Sequence, residues 1–192
     1  MVTQHLKRNY RIAKYVIYKQ TIVDPIDHLW TFIGAFIGIG LVGFLQGTRF
    51  GEMDNVFLIG SFGASAVLIF GATNSPLAQP RNLVGGHLIS AIVGVCIHKL
   101  LPDQLWVASA LAVSLAIVGM QITKTLHPPG GATALIANIG SEKIKALGFF
   151  YVFSPVLSGV LILLAVALVV NNIPKHRTYP YQKKLFWKRY KK

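Results

Sequence analysis

The chain has 192 residues, of which 53% are hydrophobic and 13% are charged, and its mean hydropathy is +0.54. This composition excludes an ordinary soluble domain and favours an integral membrane protein, because it supplies the apolar runs of about 17 to 25 residues that a helix needs to cross a bilayer. The formal net charge of +13 is concentrated before the first apolar run and after the last one, so it indicates membrane topology and not nucleic-acid binding.

These basic flanks predict three parts: an N-terminal segment at 1–23, a transmembrane domain at 24–172 and a tail at 173–192. Basic residues stay on the cytoplasmic side, so both termini are predicted to be cytoplasmic, in a bacterial inner (plasma) membrane. The tail also alternates aromatic residues with Lys and Arg, a composition that suits anionic lipid headgroups as well as simple topology signals.

Four apolar runs, at 29–45, 83–101, 105–122 and 149–170, are each long enough to span the membrane. Two segments between them are ambiguous, at 56–73 and 132–139, and the second covers only about half of the hydrocarbon at 1.5 Å per residue. The sequence therefore predicts an all-α polytopic membrane domain with short or broken middle helices. It has six spans if both ambiguous segments cross and four if neither does.

An internal repeat divides the domain into halves at about 24–101 and 102–172. The sequence DHLW at 27–30 matches DQLW at 103–106, and GASAVL at 63–68 matches GATALI at 131–136. Chance similarity among small-residue helices is the alternative. If each half crosses three times, the halves form an inverted repeat of the kind found in many transporters, and this is the arrangement we expect.

The second half is interrupted by HPPGG at 127–131. Two prolines end the preceding helix near Thr125, and a new helix is predicted to begin at the glycines, with Thr133 in its first turn. Free amides at a helix N-terminus bind anions. Gly130, Gly131 and Thr133 are therefore candidate anion ligands, and His127 is a candidate donor or proton acceptor, although it could equally cap the end of the preceding helix.

The first half offers a second helix start of the same kind, with Gly63 and Ser65 as ligands. The alternative is that these small residues only let helices approach closely, and for this segment alone it is the favoured one. Secondary candidates for the site are Ser61, His87, Arg81 and Gln121. His87 could line the same cavity but is expected to serve packing or a backbone hydrogen bond, and Arg81 either attracts anions to the cytoplasmic mouth or is a topology charge.

The acids lie at span ends or in loops, Cys96 is the lone cysteine, and no H-E-x-x-H occurs. We therefore expect no enzyme, no metal site and no cofactor.

The stretch HPPGGATA at 127–134 resembles the signature of the HPP family of integral membrane proteins, and GSFGAS at 60–65 and PLAQPRN at 76–82 resemble the first half of that family. The family is described as having four spans, and its members in cyanobacteria and plastids as nitrite transporters. The resemblance thus implies a permease for nitrite or another small monovalent anion. A non-transporting membrane scaffold or sensor subunit is the alternative, and either protein could form a homo-oligomer within the lipid.

Overall fold

The computed structural model describes residues 25–48 and 52–181, with only the backbone at 52–57 and 59. The predicted N-terminal segment 1–23 and the tail after residue 181 lie outside the described residues. Within the described ranges the regular structure is helical and no strand is present. The predicted all-α class is confirmed.

The α-helices of the described chain are, in order, α1 (Pro25–Gly47), α2 (Glu52–Ala66), α3 (Pro80–Leu100), α4 (Leu105–Ile122), α5 (Pro129–Ile139), α6 (Glu142–Ala146) and α7 (Ser158–Val170). A π-helical segment, Val67–Gly71, continues α2, and another, Val152–Leu157, leads into α7. A short 3-10 turn at Pro76–Ala78 precedes α3. The middle element of each half is thus irregular or short, as predicted.

By length and composition, four helical segments in the described residues could cross a membrane: Pro25–Gly47, Pro80–Leu100, Leu105–Ile122 and Val152–Val170. The apolar part of the second element is shorter, at Gly60–Gly71. Helix α5 has 11 residues and covers about 16 Å at 1.5 Å per residue. These helices confirm the four clear spans that the sequence predicts.

Prolines and one left-handed turn set the helix boundaries around the middle of the chain. Both α3 and α5 begin with proline, at the position where its missing N–H costs no intrahelical bond. Helix α4 ends at Ile122, and Lys124 then adopts a left-handed conformation with φ of 56°, which is a common way to stop a helix. The chain is thereby free to turn back into the bundle.

Hydrogen bonds between distant residues define one end of the bundle, which we call end A and identify by Asp27, Gln79, Thr123 and Arg177. An Arg177 Nη2 proton is donated to the carbonyl of Asp27 (2.6 Å), at the start of α1. Arg81 donates to the carbonyl of Thr123 (2.9 Å), and the amide of Tyr181 donates to Gln79 Oε1 (2.8 Å). The starts of α1 and α3 therefore share this end with the residues that follow α4 and α7.

The opposite end, end B, is identified by Gln46, Lys99, Gly148 and Pro155. Gln46, in the last turn of α1, donates to the carbonyl of Pro155 (3.1 Å), just before α7. Gly148 lies beside the side chain of Lys99, near the end of α3. Helices α1 and α3 therefore run from end A to end B, whereas α4 and α7 run from end B to end A.

The two middle elements run in the directions that make successive elements alternate. The chain leaves α1 at end B, and the π-helical segment after α2 ends at end A, where the carbonyl of Phe70 accepts a hydrogen bond from Thr31 (2.9 Å). Helix α5 starts part of the way along α3 and leads through α6 to Gly148 at end B. Successive elements thus alternate in direction, which is compatible with an inverted repeat, but the superposition of the two halves stays a prediction.

The first helix of each half packs against the middle element of its own half and against the last helix of the other half. Helix α1 packs against α2 and α7, and in the same way α4 packs against α5 and α3. The main apolar core lies among α2, α3 and α7, with Phe62, Phe70, Val156 and Leu163 fully buried. The two short middle elements, α2 and α5, contact each other inside this arrangement.

The described part of the predicted tail packs against the bundle. Tyr179 is buried and donates its hydroxyl proton to the carbonyl of Ala78 (2.7 Å). The amide of Tyr181 donates to Gln79 Oε1 (2.8 Å). These residues of the predicted tail therefore contact the bundle at end A, and the domain boundary at 172 stays a prediction.

Candidate functional site

The loop between α4 and α5 carries the predicted break and is held on both sides. Asn82, in the first turn of α3, donates to the carbonyl of Leu126 (2.8 Å). The Nδ1 atom of His127 lies 2.9 Å from the carbonyl oxygen of Leu77. His127 is fully buried although it precedes two prolines. The break therefore directs an imidazole into the bundle and not into solvent.

Five buried polar side chains meet where α2, α3 and α5 converge, and we call them the polar cluster. They are Ser61, Ser65, His87, His127 and Thr133, and none is more than 3% exposed. His87 lies about a third of the way along α3 from end A. All five were predicted as primary or secondary site residues, and the structure brings them together.

The cluster forms one continuous hydrogen-bonded path. His127 Nε2 lies 3.0 Å from Ser65 Oγ, which in turn lies 2.8 Å from His87 Nε2. On its other side, His87 Nδ1 lies 2.7 Å from Thr133 Oγ1, and that hydroxyl lies 2.8 Å from Ser61 Oγ. Ser61 also reaches the carbonyl of Pro129 (3.1 Å). Every ring nitrogen and hydroxyl of the cluster thus has a partner inside the protein, as burial requires.

Two glycines make room for this arrangement. A Cβ atom on Gly86 would lie 2.5 Å from the Cβ atom of His127 and 2.9 Å from the carbonyl of Thr125. A Cβ atom on Gly130 would lie 2.6 Å from Ser90 Oγ and 3.0 Å from the carbonyl of Gly86. The loop and the start of α5 therefore approach α3 more closely than any side chain at these positions would allow.

The backbone at the start of α5 differs from the prediction. The amide of Gly130 donates to the carbonyl of His127 (2.8 Å), and the amide of Gly131 donates to the carbonyl of Pro128 (3.0 Å). Both amides are engaged because the helix begins one residue early, at Pro129, and its first turn closes on the loop. For the same reason Thr133 lies in the second turn and not the first.

The second helix start that the sequence offers does not form, and the favoured alternative of a continuous packed helix agrees with the structure. Ser61, Gly63 and Ser65 lie inside the continuous helix α2 and its π-helical extension, so no N-terminus forms there. Glycine and serine tolerate a helix when its faces pack against neighbours, and here the face with Ser61 and Ser65 packs toward α3 and α5. Gly63 lies on another face, where a Cβ atom would meet no atom within 4 Å.

Two of the secondary candidates lie away from the cluster. The Arg81 side chain is exposed and bonds to the carbonyl of Thr123 at end A. Gln121 is exposed in the last turn of α4. His87, which was expected to serve packing, instead lies at the centre of the polar path. Its position depends on helices that are distant in sequence, so no local pattern reveals it.

Other contributors were not predicted. Tyr151 is buried, and its hydroxyl donates to the carbonyl of Thr133 (3.0 Å). The carbonyl of Leu77 orients His127, and the neighbouring carbonyl of Ala78 is held by Tyr179. A buried tyrosine needs a hydrogen-bond partner. The position of Tyr151 after α6 was therefore the one feature of the sequence that could have indicated this contact. Backbone carbonyls leave no such signal.

The chemistry of the cluster is that of neutral donors and acceptors. Among the described residues no group of three His, Cys, Asp or Glu side chains could hold a metal ion. Within the described residues, the hydrogen-bond partners of the five side chains are hydroxyls, imidazoles and carbonyls, with no carboxylate, lysine or arginine among them. Such a set can bind a small polar solute or an anion by hydrogen bonds, and it can exchange protons.

Comparisons with known proteins agree with a membrane protein. Residues 20–180 match the family model described as HPP, transmembrane region. Two transmembrane proteins of Dictyostelium discoideum are similar over 161 residues, at 53% identity with one and 50% with the other. The match covers 82% of this chain in each case, but only 50% and 55% of those relatives. The chain thus spans about half the length of the curated relatives it matches. No solved structure matches it.

Proposed function

Because the chain belongs to the HPP transmembrane family, we propose that it transports a small monovalent anion across a membrane, with nitrite as the first candidate. The choice of nitrite rests on the resemblance of residues 127–134 to the family signature. The anion binds in the polar cluster and not at free helix amides, since the amides of Gly130 and Gly131 are already bonded.

The observation that carries this proposal is the burial of five polar side chains inside an apolar helical bundle. Ser61, Ser65, His87, His127 and Thr133 are each at most 3% exposed. Polar and ionisable groups at membrane depth are costly, and they commonly mark the pathway of a solute or a proton. The cluster also lies between the two short middle elements, where transporters of alternating topology place their sites.

The side chains suit a small anion. Thr133 Oγ1 lies 2.8 Å from Ser61 Oγ and 2.7 Å from His87 Nδ1. A nitrite ion placed beside these groups would accept hydrogen bonds from them in exchange for the bonds they now make inside the protein. Donors without a fixed charge favour a moderate affinity, which allows release.

Flux measurements in proteoliposomes test the proposal. We expect purified protein to accelerate nitrite uptake over protein-free vesicles. Thr133→Val should reduce the rate about tenfold or more, because a hydrogen bond to a charged ligand contributes about 1.5 to 3 kcal/mol. Ser90→Ala is the matched control, since Ser90 is a buried serine of α3 whose hydroxyl makes a long contact with Met120 Sδ (3.7 Å). Nitrite uptake equal to that of protein-free vesicles would refute the proposal.

The complete pairing of the cluster favours a second candidate, a non-transporting scaffold or sensor subunit. In this function the polar path only fixes the packing of α2, α3 and α5, as buried networks do in other proteins. Thr133→Val would then lower the thermal stability without changing the permeability to nitrite, formate or nitrate. Measuring stability and flux on the same preparation separates the two functions.

The proposal also covers the orientation of the protein in the membrane and its contacts with lipid and with other copies. We place both termini in the cytoplasm, with end A on that side, because the basic flanks at 1–23 and 182–192 adjoin it in sequence. Anionic headgroups would bind these flanks, and a homo-oligomer would cover part of the exposed apolar surface of α1 and α4. The bacterial inner membrane stays a prediction of the sequence.

A further inference from the structure

The direction of the hydrogen bonds in the polar cluster is determined at one end by a backbone carbonyl. A carbonyl oxygen accepts and cannot donate. The contact of 2.9 Å between His127 Nδ1 and the oxygen of Leu77 therefore requires a proton on Nδ1. In a neutral His127, Nε2 is then a bare acceptor that faces Ser65 Oγ.

The carbonyl of Pro129 determines the direction at the other end. Ser61 donates its single proton to that oxygen (3.1 Å), so Thr133 donates to Ser61, and the contact of His87 Nδ1 with Thr133 is filled by an N–H on Nδ1. A neutral His87 then has a bare lone pair on Nε2, which faces Ser65 Oγ. With both histidines neutral, the one proton of Ser65 has three acceptors, which are His127 Nε2, His87 Nε2 and the carbonyl of Ser61 (3.3 Å), and the path is one proton short.

One added proton supplies the missing one. If the proton enters on His127 Nε2, the Nε2–H group donates to Ser65, and Ser65 turns its own proton toward the bare Nε2 of His87. The charge then moves in one concerted step. The Nε2–H bond of His127 breaks as a new O–H bond forms on Ser65, while the former O–H bond of Ser65 breaks as Nε2–H forms on His87. His127 ends neutral and His87 ends as a cation, with a proton on both ring nitrogens.

We propose that His127, Ser65 and His87 form a proton relay, and that the protein carries one proton with each anion. The neutral path has bare lone pairs on His87 Nε2 and His127 Nε2, and these repel an anion in the cluster. The protonated path keeps the N–H of His87 Nδ1 toward Thr133 and gives the ring a positive charge, which attracts the anion. Anion binding therefore requires the proton, and the loaded site is neutral. This inference deepens the proposed function and rests on it for the identity of the cargo.

No fixed charge in the surroundings competes with this role. From α2 the ring of Phe62 faces His87, with ring centroids 5.6 Å apart. The other titratable groups nearby are the hydroxyl of Tyr151, which bonds to the carbonyl of Thr133, and that of Tyr179, which bonds to the carbonyl of Ala78. In the described part of the chain the cluster contacts no carboxylate, so the charge of a proton on His87 is balanced by the anion itself.

Proton-coupled uptake is measured in proteoliposomes with an internal pH dye and a nitrite electrode. We expect an acidic exterior to accelerate nitrite uptake, one proton to enter with each nitrite, and no current to accompany the uptake on a solid-supported membrane. Protein-free vesicles correct for nitrous acid that crosses the lipid. Ser65→Ala should lower the pH-driven rate at least about tenfold, whereas Ser65→Thr keeps a hydroxyl and should retain most of it. Ser90→Ala should match the unmodified protein.

The outcomes separate the two proposals. Nitrite uptake that carries current and ignores the pH gradient would refute the relay and leave anion transport standing. Proton uptake that depends on Ser65 without any nitrite flux would support the relay and refute the assigned cargo. A pH-driven rate that is unchanged in Ser65→Ala would refute the relay.

A spectroscopic measurement shows the tautomers in the unmodified protein. In 15N-histidine-labelled protein at alkaline pH, solid-state NMR should show both His127 and His87 as the Nδ1–H tautomer. The assignments can be made with His127→Gln and His87→Gln. Finding either histidine with its proton on Nε2 would contradict the arrangement on which the relay depends.

Discussion

Ser65 Oγ lies 2.8 Å from His87 Nε2, although the two residues belong to different helices and both are completely buried. This contact joins the middle element of the first half to the long helix α3. Through Ser65 it also reaches His127 in the loop before α5. One hydroxyl thus connects three parts of the fold.

The first prediction concerns the stability that this hydroxyl supplies. Ser65→Ala leaves both imidazoles short of a partner, and a buried polar group without a partner costs about 1 to 3 kcal/mol. We therefore expect a clear decrease in the melting temperature in detergent. Ser90→Ala should change it less, because the contact of Ser90 with Met120 Sδ is long at 3.7 Å. Equal melting temperatures for the two variants would contradict the importance of the Ser65 contacts.

The second prediction compares two glycines from the predicted site. Gly130→Ala should destabilise the protein by about 1 to 3 kcal/mol, as overpacking does, because the new Cβ atom would meet Ser90 Oγ at 2.6 Å and a backbone carbonyl at 3.0 Å. Gly63→Ala should be neutral or stabilising, since the same atom meets nothing within 4 Å and alanine favours a helix. Thermal unfolding of the two variants provides the measurement. A larger loss in Gly63→Ala would show that the packing around α5 is different.

The helix break at Pro128 and Pro129 could be predicted from the sequence because its cause is local. Proline restricts its own backbone and that of the residue before it, so the end of α4 and the start of α5 follow from a few neighbouring residues. The residues from Ser61 to Ser65 contain no such restriction. Their glycine and serines permit a helix start without requiring one, and packing against α3 and α5 keeps α2 continuous.

The sequence predicted which residues belong to the candidate site better than it predicted how they are arranged. His127, Thr133 and Ser65 stand out as polar residues in apolar surroundings, and they do lie together. The central place of His87 depends on how α3 packs against two other elements, which local periodicity does not describe. Whether the amides of Gly130 and Gly131 are bonded depends on how tightly the first turn of α5 closes. This in turn depends on the exact residue at which the helix begins, which a sequence does not determine.

The third prediction concerns the link between the residues after α7 and the start of α1. The Arg177 side chain is 8% exposed and bonds to the carboxylate of Asp27, to the carbonyl of Asp27 and to Thr31 Oγ1. Arg177→Lys retains the charge but loses the planar fork that makes these bonds together. We expect faster trypsin cleavage at Lys175, because the segment 171–181 is held less firmly.

The control for Arg177→Lys is a substitution in an exposed ion pair. Glu142 has a side chain that is 91% exposed, and its contact with Lys145 is 3.0 Å. Such surface pairs contribute about 0 to 1 kcal/mol, so Glu142→Gln should leave cleavage at Lys175 unchanged. Cleavage that is equally slow in Arg177→Lys would show that the packing of Tyr179 alone holds the segment.

The last prediction tests whether α5 carries the chain from one end of the bundle to the other. Single cysteines at Lys124, Glu142 and Lys175, in a Cys96→Ala background, report the side of the membrane by reaction with an impermeant thiol reagent. Lys124 and Lys175 adjoin residues of end A, whereas Glu142 follows α5 toward end B. We expect the cysteines at 124 and 175 to react from one side and that at 142 from the other. If α5 instead turned back within the membrane, the cysteine at 142 would react from the same side as that at 124. The alternation of directions that permits an inverted repeat would then be lost, because the second half would cross only twice.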